Sequence, residues 1–301
     1  MHAQRSVVVL LILSLAACLS SAQQPKKLKV YISVDMEGVA GVVTDDQLGP
    51  GGFEYQRFRE FMTREAVAAV TAAKEAGATE IVVSDSHGNG ENLLIEQFPK
   101  DVRIIRSWPR RLSMMAGIDE TFDAVVFLAY HSSTNNKEGV RAHTFSSARL
   151  SRVAVNGIEM TEGAWNAAIA GHFGVPVVMI SGDDAAIVEV RSLLGNIEAA
   201  ETKKSLGFHS ASTLTPQASA DLIAEKVKSA LKRVKEFKPY KLQAPLTLDV
   251  SFKNYRPSEV LAYLKGVDRP DSHSIRYQAN SMLDISDFML VVTSYTIGLE
   301  P

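Results

Sequence analysis

The sequence predicts an α/β protein, a three-layer sandwich around a mostly parallel sheet, with a smaller C-terminal α+β part. Short apolar runs rich in β-branched residues alternate with longer amphipathic segments, as strands and helices alternate in this class. Several runs are apolar throughout, which is typical of parallel strands buried on both faces. The chain has 301 residues, 46% of them hydrophobic, and can therefore bury a full core.

The predicted elements follow from local signals. Gly77 ends a long helix in the way of a C-terminal glycine, and Asn156-Gly157 favours the tight turn of a hairpin. In chain order we predict a strand at 28–34, a helix at 54–76, a strand at 80–84, a weaker helix at 109–116, a strand at 124–128, a hairpin from 149, a helix at 162–173, a strand at 175–180 and a helix at 185–194. A helix at 218–235 and a strand-helix-strand-helix stretch complete the chain.

Residues 1–22 are predicted to be a signal peptide. His2 and Arg5 precede an apolar stretch at 7–19 that is short for a membrane span, and small residues suited to cleavage follow it. We therefore expect an exported protein, periplasmic or otherwise extracytoplasmic. The segment ending in Cys18 also resembles a bacterial lipobox, so that a lipid anchor at Cys18 and release as a soluble protein both remain open.

Composition excludes several classes of protein. Cys18 is the only cysteine, which rules out an intramolecular disulfide framework and a thiolate zinc site. The formal net charge is -2 and no basic stripe is interleaved with aromatic residues, so that nucleic acid is not an expected partner. Any metal must be held by histidine and carboxylate side chains.

Such side chains follow three of the predicted strands. Asp35 and Glu37 come directly after the first strand, His87 after the second and His131 after the strand at 124–128. Ligands bind at the carboxyl ends of strands in open α/β sheets, and residues two apart on an extended chain point to the same side. Taken singly, Asp35 could cap a turn and each histidine could be structural. Together they predict a metal site.

The motifs around these residues resemble a known family. Ser33-Val34-Asp35-Met36-Glu37-Gly38, Asp85-Ser86-His87, Tyr130-His131, His143 and Glu162-Gly163 with Asn166 are similar, in this order, to the zinc-dependent D-aminopeptidases of peptidase family M55, typified by the DppA proteins. The resemblance implies a centre of two Zn²⁺ ions, a bridging role for Asp35, a catalytic role for His143 without metal ligation, and a ring-like homo-oligomer. The implied metal ligands are Asp35, Glu37, His87, His131 and Glu162.

Two of the residues in these motifs have simpler interpretations. Glu162 could be an ordinary acidic residue in the first turn of a helix. Asn166 could reach the substrate or only bind backbone. Asp183 and Asp184 could line the site, although a helix cap is the more common role after a buried strand.

The predicted function is hydrolysis of short peptides, with N-terminal D-amino acids such as those of D-Ala-D-Ala, by an exported metal-dependent aminopeptidase. Residues 28–215 would form the metal-binding catalytic core and residues 216–301 the C-terminal part. One alternative is a metal-dependent hydrolase that cleaves an ester, lactam or phosphoester bond. The other is a solute-binding module without catalysis. Histidine and carboxylate ligands would also accept Mn²⁺ or Co²⁺.

Overall fold

The computed structural model describes residues 27–294. The predicted signal peptide and Cys18 lie outside these residues. Within the described part of the chain, none of the helices combines the length and the apolar character needed to cross a bilayer.

A seven-stranded sheet forms the centre of the protein. Its strands are β1 (Leu28–Val34), β2 (Ala78–Asp85), β3 (Arg103–Ile105), β4 (Ala124–Tyr130), β7 (Val177–Asp183), β8 (Glu198–Gly207) and β9 (Ser210–Thr213). Their order is β3-β2-β1-β4-β7-β8-β9, with every neighbouring pair parallel except β8 and β9. The mostly parallel sheet that the sequence predicts is confirmed.

Helices cover both faces of this sheet. These are α1 (Tyr55–Glu75), α2 (Glu162–His172), α3 (Asp184–Leu194) and α4 (Pro216–Lys232), whereas α5 (Tyr255–Leu261) and α6 (Met282–Ser294) pack against the second sheet described below. Val30 and Ile32 of β1 pack in one core with α1 and α4, whereas Tyr31 packs in the other core with α2. Burial on both faces explains why the successive residues 30–32 of this strand, Val-Tyr-Ile, are all hydrophobic.

The helices α1 and α4 share a buried carboxylate. Oε1 of Glu65 on α1 accepts hydrogen bonds from Ser219 Oγ on α4 at 2.7 Å and from the Ala40 amide at 3.1 Å. Burial raises the pKa of Glu65 to about 7. Within residues 27–294, Glu65 belongs to none of the groups of side chains that could hold a metal ion.

A second, antiparallel sheet lies beyond α2. It contains β5 (Leu150–Val155), β6 (Ile158–Glu159), β10 (Leu246–Phe252), β11 (Val267–Asp268) and β12 (Ser274–Ala279), in the order β11-β12-β10-β5-β6. The hairpin β5–β6 turns at Asn156 and Gly157, both with positive φ as a type I′ turn requires. The hairpin belongs to the predicted core, residues 28–215, and β10 to the predicted C-terminal part, residues 216–301. Because β5 pairs with β10, the second sheet joins the two parts.

The prediction of a helix at 109–116 is wrong. Only a 3-10 turn, Ser113–Met115, forms there, because Leu112 and Ser113 have left-handed φ values of 64° and 50° that an α-helix cannot contain. This irregular segment instead brings Met114 to the wall of the cavity described in the next section.

Candidate metal centre and active site

The side chains predicted at the strand ends lie together at one edge of the parallel sheet. Asp35 and Glu37 follow β1, His87 follows β2 and His131 follows β4. Glu162 joins them from the first turn of α2, which Thr161 caps by accepting from the Ala164 amide at 2.8 Å. All five side chains are buried.

Each of the two histidines of the cluster, His87 and His131, is fixed by a backbone carbonyl. His87 Nε2 lies 2.7 Å from the Leu48 carbonyl oxygen, and His131 Nδ1 lies 3.0 Å from that of Ser132. Since a carbonyl only accepts, these nitrogens carry the hydrogen. The other nitrogen of each ring faces carboxylates, which is the arrangement that histidine ligands show in metal sites.

Asp35 lies between the two imidazoles. Its Oδ1 is 3.3 Å from His87 Nδ1 and its Oδ2 is 3.3 Å from His131 Nε2. Glu37 Oε2 approaches His87 Nδ1 at 2.9 Å, and Glu162 Oε1 approaches His131 Nε2 at 3.5 Å. Asp35 therefore belongs to two groups of ligand atoms, one with Glu37 and His87 and one with His131 and Glu162.

The cluster strongly favours positive charge. Burial disfavours the imidazolium form, yet Glu37 and Asp35 raise the pKa of His87 well above its ordinary value. Burial would raise the pKa of Glu37 too, but the facing imidazoles hold it well below the ordinary value. For Asp35 burial prevails, and together with the charge of Glu37 it raises the pKa. The carboxylate charges that stabilise a protonated imidazole also attract a divalent cation.

The donor set fits zinc. Carboxylate oxygens and imidazole nitrogens are the zinc ligands available to a protein without thiolates. Asp35 Oδ2 and His131 Nε2 are buried, and although they lie 3.3 Å apart, neither makes a hydrogen bond within residues 27–294. Buried polar atoms left in this way are rare unless an ion or water satisfies them.

His143 lies beside the cluster on the loop between β4 and β5. Its ring stacks on that of His131, with centroids 4.0 Å apart and planes inclined by 9°. The Arg141 carbonyl oxygen lies 2.8 Å from Nδ1, and Nε2 is 3.8 Å from Glu162 Oε1 and 3.9 Å from Glu37 Oε1. In contrast to His131, His143 lines the cavity in front of the cluster.

This cavity has a volume of about 490 Å³, the size of a small-molecule site. The cluster carboxylates lie on its wall, together with Trp108, Met114, Phe145 and Leu290. Leu290 lies on α6, so that α6 closes part of the space in front of the cluster.

The chain matches a family model described as D-aminopeptidase, of peptidase family M55, over residues 28–291. This chain belongs to the M55 D-aminopeptidases. The D-aminopeptidase of Bacillus subtilis (strain 168) is 32% identical to it over 267 residues, which cover 88% of this chain and 97% of the relative. The family assignment confirms the resemblance inferred from the motifs and identifies the chain as a metal-dependent hydrolase.

A solved structure of an M55 D-aminopeptidase shares the fold. The zinc-dependent D-aminopeptidase DppA from Bacillus subtilis, described as a self-compartmentalizing protease, superimposes with a TM-score of 0.85 at 31% identity. The match covers 91% of this chain and 99% of that one. The α/β architecture predicted from the sequence is therefore also that of a solved member of the family.

The M55 motif residue Asn166 lies behind the cluster instead of on the cavity wall. It is fully buried, and its Nδ2 donates to Tyr130 Oη at 2.8 Å, while Tyr130 Oη donates to Ser33 Oγ at 2.8 Å. Its predicted contact with substrate stays a prediction. The observed bonds connect α2, β4 and β1, the elements that carry Glu162, His131 and Asp35.

Asp183 and Asp184 are not among the residues that line the cavity. Asp183 caps α3, with its Oδ1 accepting from the Ala186 amide at 2.8 Å and its Oδ2 from the Val140 amide at 2.7 Å. Asp184 accepts from the Ser205 amide at 2.9 Å. The capping interpretation therefore describes the observed contacts.

Lys203 supports the site in a way that the sequence did not suggest. Its buried Nζ donates to the carbonyl oxygens of Val39 and Val42, at 3.1 and 2.6 Å, and to that of Glu37. Burial lowers its pKa to about 8. Within Thr-Lys-Lys on β8, Lys203 resembles a surface lysine, and only the tertiary structure reveals that it holds the loop that carries Glu37.

Gly38 is required by a close contact between backbones. Its amide donates to the Ala129 carbonyl at 2.7 Å, and a Cβ at this position would lie 2.3 Å from Ala129 C and 2.4 Å from Tyr130 O. We expect Gly38→Ala to displace the Asp35–Gly38 turn, to lower stability by about 1–3 kcal/mol and to weaken zinc binding. Thermal unfolding and zinc titration measure both effects.

The control for this substitution is Gly49→Ala, because a Cβ on Gly49 would meet no atom within 4 Å. Its stability should change by no more than about 0.5 kcal/mol. A Gly38→Ala protein with the stability and zinc affinity of the Gly49→Ala protein would contradict the steric argument.

Proposed function

We propose that this protein is an exported aminopeptidase that removes N-terminal D-amino acids from short peptides such as D-Ala-D-Ala by means of a centre of two zinc ions. The observation that carries the two-ion proposal is the position of Asp35, whose two oxygens each lie 3.3 Å from a different imidazole. One group would hold an ion through Asp35, Glu37 and His87. The other would hold an ion through Asp35, His131 and Glu162.

The residues of the site have distinct tasks in this proposal. Bound zinc supplies Lewis-acid activation of water and of the scissile carbonyl. The Leu48 and Ser132 carbonyls each fix one nitrogen of the His87 and His131 imidazoles as a donor and so direct the other ring nitrogen toward the metal site. His143, with Nδ1 held at the Arg141 carbonyl, directs Nε2 toward the carboxylates and is placed to accept or donate a proton at that atom.

Three further elements of the proposal rest on the sequence and on the relatives. Export rests on the apolar segment at 7–19 and the small residues after it. A homo-oligomer that encloses the active sites is supported by the relative described as self-compartmentalizing. The D-stereochemistry is supported by the family description. N-terminal sequencing of the protein secreted by its host tests export, and an intact residue 1 on all of it would contradict the signal peptide.

Hydrolysis of D-Ala-D-Ala and L-Ala-L-Ala by the chain from Gln23 onward tests the activity directly. We expect zinc-reconstituted protein to cleave the D-dipeptide alone and chelated protein to cleave neither. Cleavage of the L-dipeptide would contradict the stereochemistry but keep the metal-dependent mechanism. Cleavage of neither dipeptide by zinc-loaded protein would overturn the peptidase proposal in favour of an ester, lactam or phosphoester substrate, or of a binding protein.

A further inference from the structure

Arg149 shares the active-site cavity with the metal cluster. Among the described residues it is the only lysine or arginine that lines this cavity, whose other charged or titratable lining groups are Asp35, Glu37, His87, His143 and Glu162. It lies directly before β5, four residues after Phe145 on the same cavity wall. A permanent positive charge is thus placed in a space where the remaining charged groups are cluster carboxylates and imidazoles.

The guanidinium is held only by neutral acceptors. Arg149 Nη2 donates to the Thr293 carbonyl at 2.7 Å, and Nε lies 3.4 Å from Ser146 Oγ. Within residues 27–294 no carboxylate comes within 4.0 Å of it, whereas Arg111, which also contacts α6, pairs with Asp287 at 2.9 Å. Arg149 is also solvent-exposed, so that the rest of its donor fork is accessible from the cavity.

We infer that Arg149 binds the C-terminal carboxylate of a short peptide in this cavity. This inference rests on the proposed function, in which the N-terminal residue of the peptide lies at the metal cluster. A peptide of two or three residues that starts there ends in a carboxylate while still inside a 490 Å³ cavity. Arginine matches a carboxylate with two parallel N–H···O bonds, and the Thr293 and Ser146 contacts orient the fork in advance.

The alternative role for Arg149 is purely structural. In that role the bond to the Thr293 carbonyl would only hold α6 against the segment before β5. This role would affect all substrates equally, because it acts through the position of α6. Recognition of a carboxylate would affect only substrates that carry one.

Two substrates that differ only at the C-terminus separate these roles, D-Ala-D-Ala and its amide, D-Ala-D-alaninamide. For Arg149→Gln in the zinc-loaded full-length mature protein we expect kcat/KM for the free dipeptide to fall about 10- to 100-fold, mainly through KM, and that for the amide to change less than about threefold. Arg149→Lys keeps the charge without the fork and should lie between Arg149→Gln and the wild type.

Arg111→Gln is the matched control, because Arg111 also contacts α6, through Asp287, but does not line the cavity. It should hydrolyse both substrates as the wild type does. Equal losses on both substrates in Arg149→Gln, or no loss on either, would overturn the inference while the wild-type activity keeps the proposed function intact. A wild-type protein that cleaves neither substrate would overturn both proposals.

Discussion

Replacing His143 with alanine is expected to lower kcat by about 10²- to 10⁴-fold and to leave the zinc content unchanged. His143 lies on the cavity wall, and its Nε2 is 3.8 Å from Glu162 Oε1 and 3.9 Å from Glu37 Oε1. A substrate bound at these carboxylates would lie within reach of this nitrogen. A histidine on the cavity wall can act as a general acid or base toward a bound substrate, and alanine removes that capacity without removing a carboxylate.

Zinc content decides how this result is interpreted, because His143, Glu37 and His131 also offer ligand atoms close enough to hold a metal ion. Metal analysis after dialysis in zinc-buffered solution should therefore accompany the kinetics. Loss of a bound ion from His143→Ala would make His143 a ligand, and full activity would remove it from catalysis. His172→Ala is the control, because His172 is exposed at the end of α2, and its kinetics should match those of the wild type.

Asp35→Asn is expected to have the largest effect on metal binding. The amide keeps the shape of the side chain, but it loses the negative charge and offers only one oxygen as a ligand. Because both groups of ligand atoms include Asp35, we expect zinc content to fall from two ions per chain to at most one. Activity should fall by more than about a hundredfold, since even residues that only orient metal ligands contribute ten- to a hundredfold.

The matched control for Asp35→Asn is Glu65→Gln. Glu65 is also a buried carboxylate, but it accepts from Ser219 and Ala40 and belongs to none of the groups of possible metal ligands within residues 27–294. Its neutral amide should leave zinc content and activity close to those of the wild type. An Asp35→Asn protein that retains two zinc ions would show that Asp35 does not bridge them.

Sequence patterns were sufficient to predict that the side chains at the strand ends meet at one edge of the sheet, for a physical reason. In a parallel sheet the strands end at one edge, so that side chains directly after β1, β2 and β4 must meet wherever these strands are neighbours. The order β2-β1-β4 places them side by side, which brings Asp35, His87 and His131 together. Glu162 carries no such signal, because an acidic residue in the first turn of a helix is common in any protein.

The other features of the site depend on contacts between segments that are distant in the sequence. Lys203 reaches the loop after β1 from 161 to 166 residues away, and Arg149 meets Thr293 across 144 residues. Neither contact has a local pattern, since a lysine on a strand or an arginine in a loop is usually an ordinary surface residue. The same limit applies to Met114, which lines the cavity because left-handed residues prevent the helix predicted at 109–116.

The candidate metal ligands and the far wall of the cavity come from different parts of the chain. Asp35, Glu37, His87 and His131 follow strands of the parallel sheet, whereas Arg149 precedes the antiparallel sheet and Leu290 lies on α6. If the proposed function holds, mutations in β5, α6 and the segments beside them can therefore alter which peptide is accepted without disturbing the proposed zinc ligands. This separation gives evolution, or an engineer, a way to diversify the substrate range of the enzyme while its hydrolytic chemistry stays the same.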